Sequence, residues 1–558
     1  PYELFEPLWL SRAEVLRGAN GFDRGALALG GAIDYITHTG HDAAPLQVRY
    51  ELGSRGYAKR QISSGQVLGD LDYYVALTDS EYDGYQDHSS GSSKGIAANV
   101  GYRFSPSLET RFYLRYRETE NDLAGRLTKE QIKHHPRDAN PAYLTRDDSR
   151  PQPGSTWLGN KTTFYLDDDS RLETGLVYHD YPMDLREGPM RLKVAYSDVS
   201  GTLNYFRRDT LFGHESNTTV GWRTTKHLPN SGASQFVRTD DVTGARTRDF
   251  SYQGSDTVVH IGNDLELVPD LWLTSGLAMI YTRRESDVSF PANGGKVSQH
   301  DWDYAPRLGL RYDINPQLQI YGNLSRSVEP PHPWSLIWSS ASATQPIEMQ
   351  NQTATTLELG ARGESAIGRW DLAWYYSDVR HELLAMEIVQ GLPAKEFNAS
   401  PTVHQGVEAG LDSLLWERGG VGKLSLRQAY TFSDFHYRND DVFGDNRLPG
   451  IPMHYYQAEL RFDLPSGLYA GINTQMASKV QVDYANSYPA DAYALLGATL
   501  GYNSPKQDWQ TWIDLRNLTN KRYAATVTPG YNDNGKDIAH STPGEGFGVY
   551  AGVSYSFR

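Results

Sequence analysis

From about Leu46 onward, apolar and polar residues alternate with a period of two. In residues 370–377, Trp370, Leu372, Trp374 and Tyr376 fall on one face, and Asp371, Ala373, Tyr375 and Ser377 on the other. In residues 355–362, Leu357, Leu359 and Ala361 oppose Glu358 and Arg362. Residues 307–312 repeat the pattern with Arg307 and Arg311 on the polar side. Successive side chains of a strand point to opposite faces of its sheet, so this period predicts β-strands and not helices. At the C-terminus Val549, Ala551, Val553, Tyr555 and Phe557 line the apolar face of a closing strand. Charged, glycine-containing faces matched to apolar ones over nearly the whole chain fit a barrel with lipid outside and water inside. A soluble sandwich would turn its apolar face inward. A propeller would show a blade-length repeat, and this sequence has none.

Short turn signals give the strand number. They fall at Leu68-Gly69-Asp70, Ser105-Pro106-Ser107, Asp167-Asp168-Asp169-Ser170, Leu211-Phe212-Gly213-His214 and Pro269-Asp270. They continue at Asn315-Pro316-Gln317, Gly363-Glu364-Ser365-Ala366, Gly419-Gly420-Val421-Gly422, Pro465-Ser466-Gly467 and Ser504-Pro505-Lys506. Gly, Pro, Asn and Asp supply the backbone conformations that reverse a chain within a few residues. Between successive turns lies room for two strands and one longer loop. Ten turns and eleven loops make 21 connections, hence 22 antiparallel strands, the size class whose lumen is plugged. The longer connections run over residues 81–94, 119–156, 181–197, 226–251, 283–303, 325–353, 381–404, 434–454, 476–491 and 524–545. They are polar and irregular, and loops of that length commonly carry function.

Residues 1–43 read differently. A short alternating segment around Leu10 to Arg17, a Gly-rich loop and a second β-prone segment at Gly30 to Ile36 make a piece too small to bury a core of its own. Its place is inside the barrel formed by residues 44–558. There Glu14 and Arg17 are expected to pair with inward-facing wall charges, among them Arg307, Arg311, Glu358, Arg362 and Asp371, because an unpaired charge in so confined a space is costly.

Composition narrows the class. Only 39% of the 558 residues are hydrophobic while 12% are aromatic, which suits strands that are apolar on one face only. No run is long and apolar enough for a transmembrane helix. The absence of cysteine excludes a disulfide scaffold and cysteine-ligated metal. A net charge of −15 speaks against nucleic acid as a partner.

No catalytic constellation stands out. His134-His135, His332 and His404 sit in loops without a motif tying a base to a nucleophile. Asp167-Asp168-Asp169 lacks the ligand spacing of a calcium loop and reads as a polar turn. Gly25 to Gly31 is no phosphate loop, since no Lys-Ser or Lys-Thr follows. What remains is a binding surface. Tyr82, Tyr85, His88, His332, Trp334, Trp338, Phe397, Tyr437, Tyr484, Tyr488 and Tyr531 place rings in the long loops. Rings offer a large contact area at little entropic cost and suit flat aromatic or chelate ligands. The alternative is a belt of aromatics at the lipid headgroups. Trp334 and Trp338 lean towards binding, because they follow the stiff run Glu329-Pro330-Pro331-His332-Pro333.

Four stretches resemble a known family. Glu14-Val15-Leu16-Arg17-Gly18, continued by Gly30-Gly31-Ala32-Ile33-Asp34, resembles the last part of the plug domain of TonB-dependent outer-membrane receptors. Residues 353–363 and the preceding Ser325-Arg326-Ser327-Val328-Glu329-Pro330-Pro331 resemble a mid-barrel strand and its lead-in in the siderophore receptors. Leu515-Arg516-Asn517-Leu518-Thr519-Asn520-Lys521-Arg522-Tyr523 is similar to the penultimate-strand signature. The resemblance implies an all-β, 22-stranded outer-membrane barrel with the C-terminal part of a plug in its lumen, most of the plug being absent from this chain. It implies active uptake of a ferric siderophore across a Gram-negative outer membrane, energised by the TonB–ExbB–ExbD complex. Iron(III) would be cargo rather than cofactor. A monomer set in outer-membrane lipid and lipopolysaccharide is implied as well. Uptake of haem, cobalamin, another metal complex or a sugar, and a passive channel or adhesin on the same scaffold, remain the rival readings.

Overall fold

The computed structural model describes residues 6–18, 27–292, 294–339, 344–386 and 395–557. β1 (Leu10–Arg17) and β2 (Gly31–Thr37) pair antiparallel. The barrel begins with β3 (Leu46–Gly53), β4 (Ala58–Leu68), β5 (Leu71–Tyr82), β6 (Gly91–Ser105), β7 (Leu108–Asn121), β8 (Gln152–Asp167) and β9 (Ser170–Asp180). It continues through β10 (Ser197–Leu211), β11 (His214–His227), β12 (Val242–Val268), β13 (Leu271–Phe290), β14 (Lys296–Asn315), β15 (Leu318–Glu329), β16 (Gln352–Ser365) and β17 (Gly368–Arg380). It ends with β18 (Thr402–Arg418), β19 (Gly422–Tyr437), β20 (His454–Asp463), β21 (Leu468–Ala477), β22 (Tyr493–Asn503), β23 (Trp509–Arg516) and β24 (Gly548–Phe557). Each strand pairs with the next, and β3 pairs with β24 from Leu46↔Phe557 to Gly53↔Tyr550. The 22-stranded sheet is therefore closed. Closure leaves no strand edge in the lipid, where an unpaired N–H or C=O costs several kcal/mol.

All ten tight turns fall between consecutive strands at one rim. At Leu211-Phe212-Gly213-His214 both central residues take positive φ, 53° at Phe212 and 83° at Gly213, the two-residue hairpin whose twist matches that of its strands. The opposite rim carries the longer connections, with two exceptions, the four residues 54–57 and the five residues 291–295. Residues 54–57 join β3 to β4 in four residues, held by the Gly53 N–H donating to the Tyr57 carbonyl at 2.9 Å.

Three stretches expected to be irregular, 181–197, 226–251 and 283–303, are largely strand instead. β12 reaches 27 residues, and β13 and β14 reach 20 each, so they stand well beyond the apolar band across 226–251 and 283–303. Met183–Glu187, Met190–Ala195 and Gly232–Thr239 extend the sheet there. Phe250, Tyr252 and Val288 keep the period of two and are buried in this extension, but the polar residues between them disguise the pattern. Residues 119–156 hold two short helices, α1 (Lys129–His134) and α2 (Pro141–Arg146). A capping box between Thr128 and Gln131 starts α1.

The apolar faces look outward. Leu308 and Leu310 on β14, Ile320 and Leu324 on β15, and Leu357 and Leu359 on β16 are all exposed on the outer surface. Their solvent is lipid. Aromatics flank this band, with Tyr281 against Trp302 near the loop rim and Trp509 against Tyr555 near the turn rim.

The N-terminal residues cross the lumen. Trp9 is buried among Tyr74, Ala76 and Ala97 of β5 and β6, and its indole N–H donates to Thr78 Oγ1 at 3.0 Å. Gly40 N–H donates to Asp72. On the far side the Leu29 N–H donates to Glu329 of β15. Arg17 pairs with Glu408 of β18, a partner the sequence had not singled out. Glu14 is held by Arg12 of its own strand at 3.0 Å. The wall residues Arg307, Arg311, Glu358 and Arg362 do gather with Arg17, around a lumenal cavity of about 1400 Å³. Their partners differ from expectation: Arg311 lies 3.8 Å from Asp313, and Arg362 Nε donates to Gln319 at 2.6 Å. Neighbouring side chains on the inner face, along one strand or across to the next, meet before the lumen is crossed.

Candidate ligand-binding vestibule

Above the apolar band the tall strands and loops enclose a vestibule. Residues 330–333 lay the chain against β12 and β13. Three prolines here fix φ, and each leaves only its carbonyl to satisfy. Arg284 Nε donates to the Pro331 carbonyl and Ser286 Oγ to that of Pro333 at 2.7 Å. The Arg284 guanidinium is held in turn by Asp256 at 2.8 Å. His332 caps the single turn Pro333–Leu336, its Nδ1 accepting the Trp334 N–H at 3.2 Å.

This anchored turn presents a cluster of rings. Tyr196 stacks on His332 with centroids 5.8 Å apart, and its hydroxyl bonds His227 Nε2 at 2.7 Å. Tyr252 backs both His332 and Trp334, and Phe250 meets Trp334 edge-on at 6.0 Å. Tyr252, Phe250 and His227 are buried, Tyr196 and Trp334 half-buried, and His332 open. The cluster is thus a face of His332, Trp334 and Tyr196 on a rigid backing. Burial lowers the pKa of His227. The protein packed around His332 lowers its pKa too, with repulsion from His227 and Arg284 adding. Burial, then Asp198, raises that of Tyr196. Near neutral pH the face is therefore uncharged, a surface of π-systems and hydrogen-bonding edges.

The other rings singled out from the sequence go elsewhere. Tyr437 and Tyr484 are almost fully buried, packed with Leu448, Ala399, Phe397 and Phe443 in a core that joins the loops between β17 and β22. Tyr531 meets Phe443 edge-on at 5.3 Å at the margin of that core. As placed, Tyr437 and Tyr484 glue loops together and present no face to the vestibule. Tyr488 lies under Lys129, which also pairs with Asp491 at 2.6 Å. Tyr82 donates to Asn121 at 2.7 Å, and Tyr85 lies under Arg55. His88 Nε2 bonds the Asp148 carbonyl at 2.8 Å. The Trp338 side chain lies outside the described residues. His404 stacks on Phe435 at 4.2 Å and bonds Glu382, which also accepts from Thr402.

Sequence reasoning passed over Tyr196, His227, Phe250, Tyr252 and Arg284. The spacing of Phe250 and Tyr252 was a usable signal. Nothing local marks Tyr196, His227 or Arg284, which come together only through the register of β10 to β13.

A second assembly fixes the opposite flank. Asp148 and Arg238 form an ion pair at 2.9 Å with both side chains sealed from solvent. Asp148 also accepts the Gly188 N–H at 3.0 Å, and its carbonyl accepts from Leu123 and His88. Through its carboxylate and its carbonyl, Asp148 thus ties the connections at 83–90, 122–151, 181–196 and 228–241. Among the described residues no group of three or more His, Asp or Glu side chains is placed to hold a metal ion.

The barrel and its rim match known proteins. The model of the family "TonB dependent receptor-like, beta-barrel" matches residues 53–518. The chain belongs to this family. A ferric-pyoverdine M114 receptor, PbuA of Pseudomonas sp. strain M114, is 20% identical over 94% of this chain and 68% of its own length. The crystal structure of the siderophore receptor PiuA from Acinetobacter baumannii superposes with a TM-score of 0.80 at 14% identity, covering 98% of this chain and 86% of that one. The ferric yersiniabactin uptake receptor FyuA from Yersinia pestis gives 0.79 at 16% identity, covering 98% and 85%. This TonB-dependent receptor barrel is a protein of the Gram-negative outer membrane. The family and its structural neighbours are receptors for transport rather than enzymes.

Proposed function

We propose that the protein takes up a ferric siderophore across the outer membrane, drawing energy from TonB, ExbB and ExbD. The vestibule carries the reading: an anchored face of His332, Trp334 and Tyr196 above a closed barrel crossed by a strand pair. A face of rings, neutral near pH 7, suits a bulky chelate with aromatic or heterocyclic arms, and three relatives are named as receptors for ferric pyoverdine, a siderophore and ferric yersiniabactin. Residues 1–43 act as the C-terminal segment of a plug, Arg17–Glu408 fastening it to the wall. The tight turns face the periplasm and the tall loops the exterior, as loop length divides in such barrels. Trp334, His332 and Tyr196 make the first contact with ligand. Tyr82, Tyr85, His88, Phe397, Tyr437, Tyr484, Tyr488 and Tyr531 hold the loops that surround them. Iron(III) travels as cargo, and the receptor works as a monomer in lipid and lipopolysaccharide. Growth under iron limitation, with this protein as sole receptor and a panel of ferric chelates as iron sources, tests the reading. Growth on one siderophore class supports it. Growth on haem alone, or uptake of cobalamin or a sugar with none of the chelates, assigns another ligand.

A further inference from the structure

The tall strands above the lipid form an arm with two edges, and only one of them is covered. On one side the strand Met183–Glu187 is finished by residues 149–151. Ser149 and Arg186 exchange backbone hydrogen bonds, and the Asp184 N–H donates to the Pro151 carbonyl at 2.9 Å. On the other side stands the upper half of β14. Its pairing with β13 runs on to Lys296, but its pairing with β15 stops at Arg307 opposite Ser325. The next ladder position is Pro306, which has no N–H to give. β15 turns inward from there and buries Val328 with Ala305 and Ile280. From Lys296 to Pro306, β14 is therefore paired on one side only among the described residues.

The alternation of an antiparallel strand decides which groups this leaves open. The Gly295 carbonyl accepts the Val288 N–H at 3.0 Å, and the Asp313 N–H donates to the Asp270 carbonyl at 2.9 Å. The odd residues of β14 thus turn their N–H and C=O towards β13. The even ones, Lys296, Ser298, His300, Trp302 and Tyr304, turn theirs to the open side. Arg326 fixes the sense by donating to the Tyr304 carbonyl at 3.0 Å, and it caps that one group. The pairing with β13 carries no bulge here, and no proline or glycine interrupts residues 296–305. Exposed edges are ordinarily blunted by such devices, because a straight edge is a template for another strand. Trp302 and Tyr304 stand beside this one, 67% and 60% exposed. The inner face is already taken. Gln299 exchanges two hydrogen bonds with the Met349 backbone, and Asn351 donates to Asp303 at 2.8 Å. Asp301, between them, forms no ion pair among the described residues, and burial, then Asp303, raises its pKa.

We propose that this edge receives an extended segment of a second protein at the cell surface, which the tall loops face. The segment adds antiparallel to β14, apolar on its outer row and with a lysine or arginine opposite Asp301. Another copy of this chain does not fit. Two copies of one edge pair antiparallel about an axis perpendicular to the sheet. In a barrel wall that axis lies in the membrane plane, so one barrel would stand inverted. A parallel pair would set the lipid face of one against the lumenal face of the other. A strand of another protein meets neither obstacle. It gains main-chain hydrogen bonds from the even residues and rests its outer row on Trp302 and Tyr304.

Residue-resolved hydrogen exchange of the purified full chain tests this, with or without uptake activity. The Ser298, His300 and Trp302 amides should exchange roughly a hundredfold faster than those of Gln299, Asp301 and Asp303, which donate to β13. The probe is a synthetic peptide alternating valine and threonine, with one lysine at the centre of the threonine row. At millimolar concentration it should slow the three open amides at least about fivefold. N-methylation of the valine amides, which face the edge, should abolish the effect, and methylation of the threonine amides should not. Ser298→Pro should abolish it too without exposing Gln299 or Asp301, because an edge position has no ladder bond to lose. Exchanging the lysine for glutamate should weaken the peptide about threefold, a difference that Asp301→Asn removes. Open amides as slow as their neighbours overturn the proposal. Protection that fades on dilution would assign the edge to a second copy, and protection at every dilution to this chain's own loops. A peptide that slows nothing, acts equally with either row methylated, or binds as well with glutamate as with lysine overturns it also.

Discussion

Replacing Arg238 by Met should release one flank of the vestibule without unfolding the barrel. Arg238 and Asp148 are sealed from solvent, and the guanidinium also donates to the carbonyls of Arg146 and Asp147. Removing one partner of a buried pair strands the other and costs about 3–5 kcal/mol. Here Asp148 keeps the Gly188 N–H and Arg146 at 3.3 Å, which places the cost at the lower end, about 3 kcal/mol. The barrel, closed by 22 paired strands, does not share this loss, so the cost falls on the docking of residues 122–151 and 183–195. At a factor of ten for each 1.4 kcal/mol, about 3 kcal/mol is roughly a hundredfold in the opening equilibrium. Hydrogen exchange of the Leu123 amide, which donates to Asp148, and of the Gly188 amide should accelerate by about that factor. Amides of β20 and β21 should not change. Pairing Arg238→Met with Asp148→Leu should recover part of the protection, because no charge is then left stranded. If both amides stay within about threefold of wild type in the single variant, the pair does not tie the loops and the reasoning fails.

Other outcomes follow from the same structure. A cysteine at Ser90 should label on intact cells while one at Ser466 should not, and the reverse would invert the barrel in the membrane. Trp334→Ala removes the ring set against Phe250 and Tyr252. It should weaken the chelate that supports growth by about thirtyfold, the loss typical of a buried aromatic anchor of about 2 kcal/mol; a change under twofold in a folded barrel would assign Trp334 to loop packing alone. Burial holds His227 below its ordinary value of 6.5, so the packed face binds the proton less readily than an opened one does. The face is therefore fully stable above about pH 6.5 and loosens as pH falls. Trp334 emission should report loosening between pH 7 and 5 that His227→Gln lessens and His227→Gln with His332→Gln abolishes, since the pKa of His332 is lowered as well; loosening on raising the pH would contradict the sign.

The barrel was legible because its signals are local. Turn residues such as Phe212-Gly213 and Pro316 mark every reversal at one rim, and the apolar face of each strand reads directly as its lipid face. The loop rim was less legible, since strands outside lipid need no continuous apolar face: in the upper parts of β12 to β14 the apolar residues, Phe250, Tyr252 and Val288 among them, are few and set among polar ones. The site was partly legible. Trp334 and His332 follow a proline run that stiffens any loop, and both belong to the ring cluster. Tyr437 and Tyr484 were candidates in the sequence as well, without a proline run to favour them, and they are buried, because packing between loops decides which rings remain open. The Asp148–Arg238 pair, and the partner Glu408 for Arg17, depend on register across strands far apart in the chain, and no local pattern encodes them.

The most direct test is the uptake of radioiron from the growth-supporting chelate in two strains that carry this barrel as sole receptor, one with TonB and one without. Surface binding should be equal in both, and accumulation should occur only where TonB is present. Equal accumulation in the two strains, or accumulation without saturable binding at the surface, would make the barrel a passive channel and contradict the account.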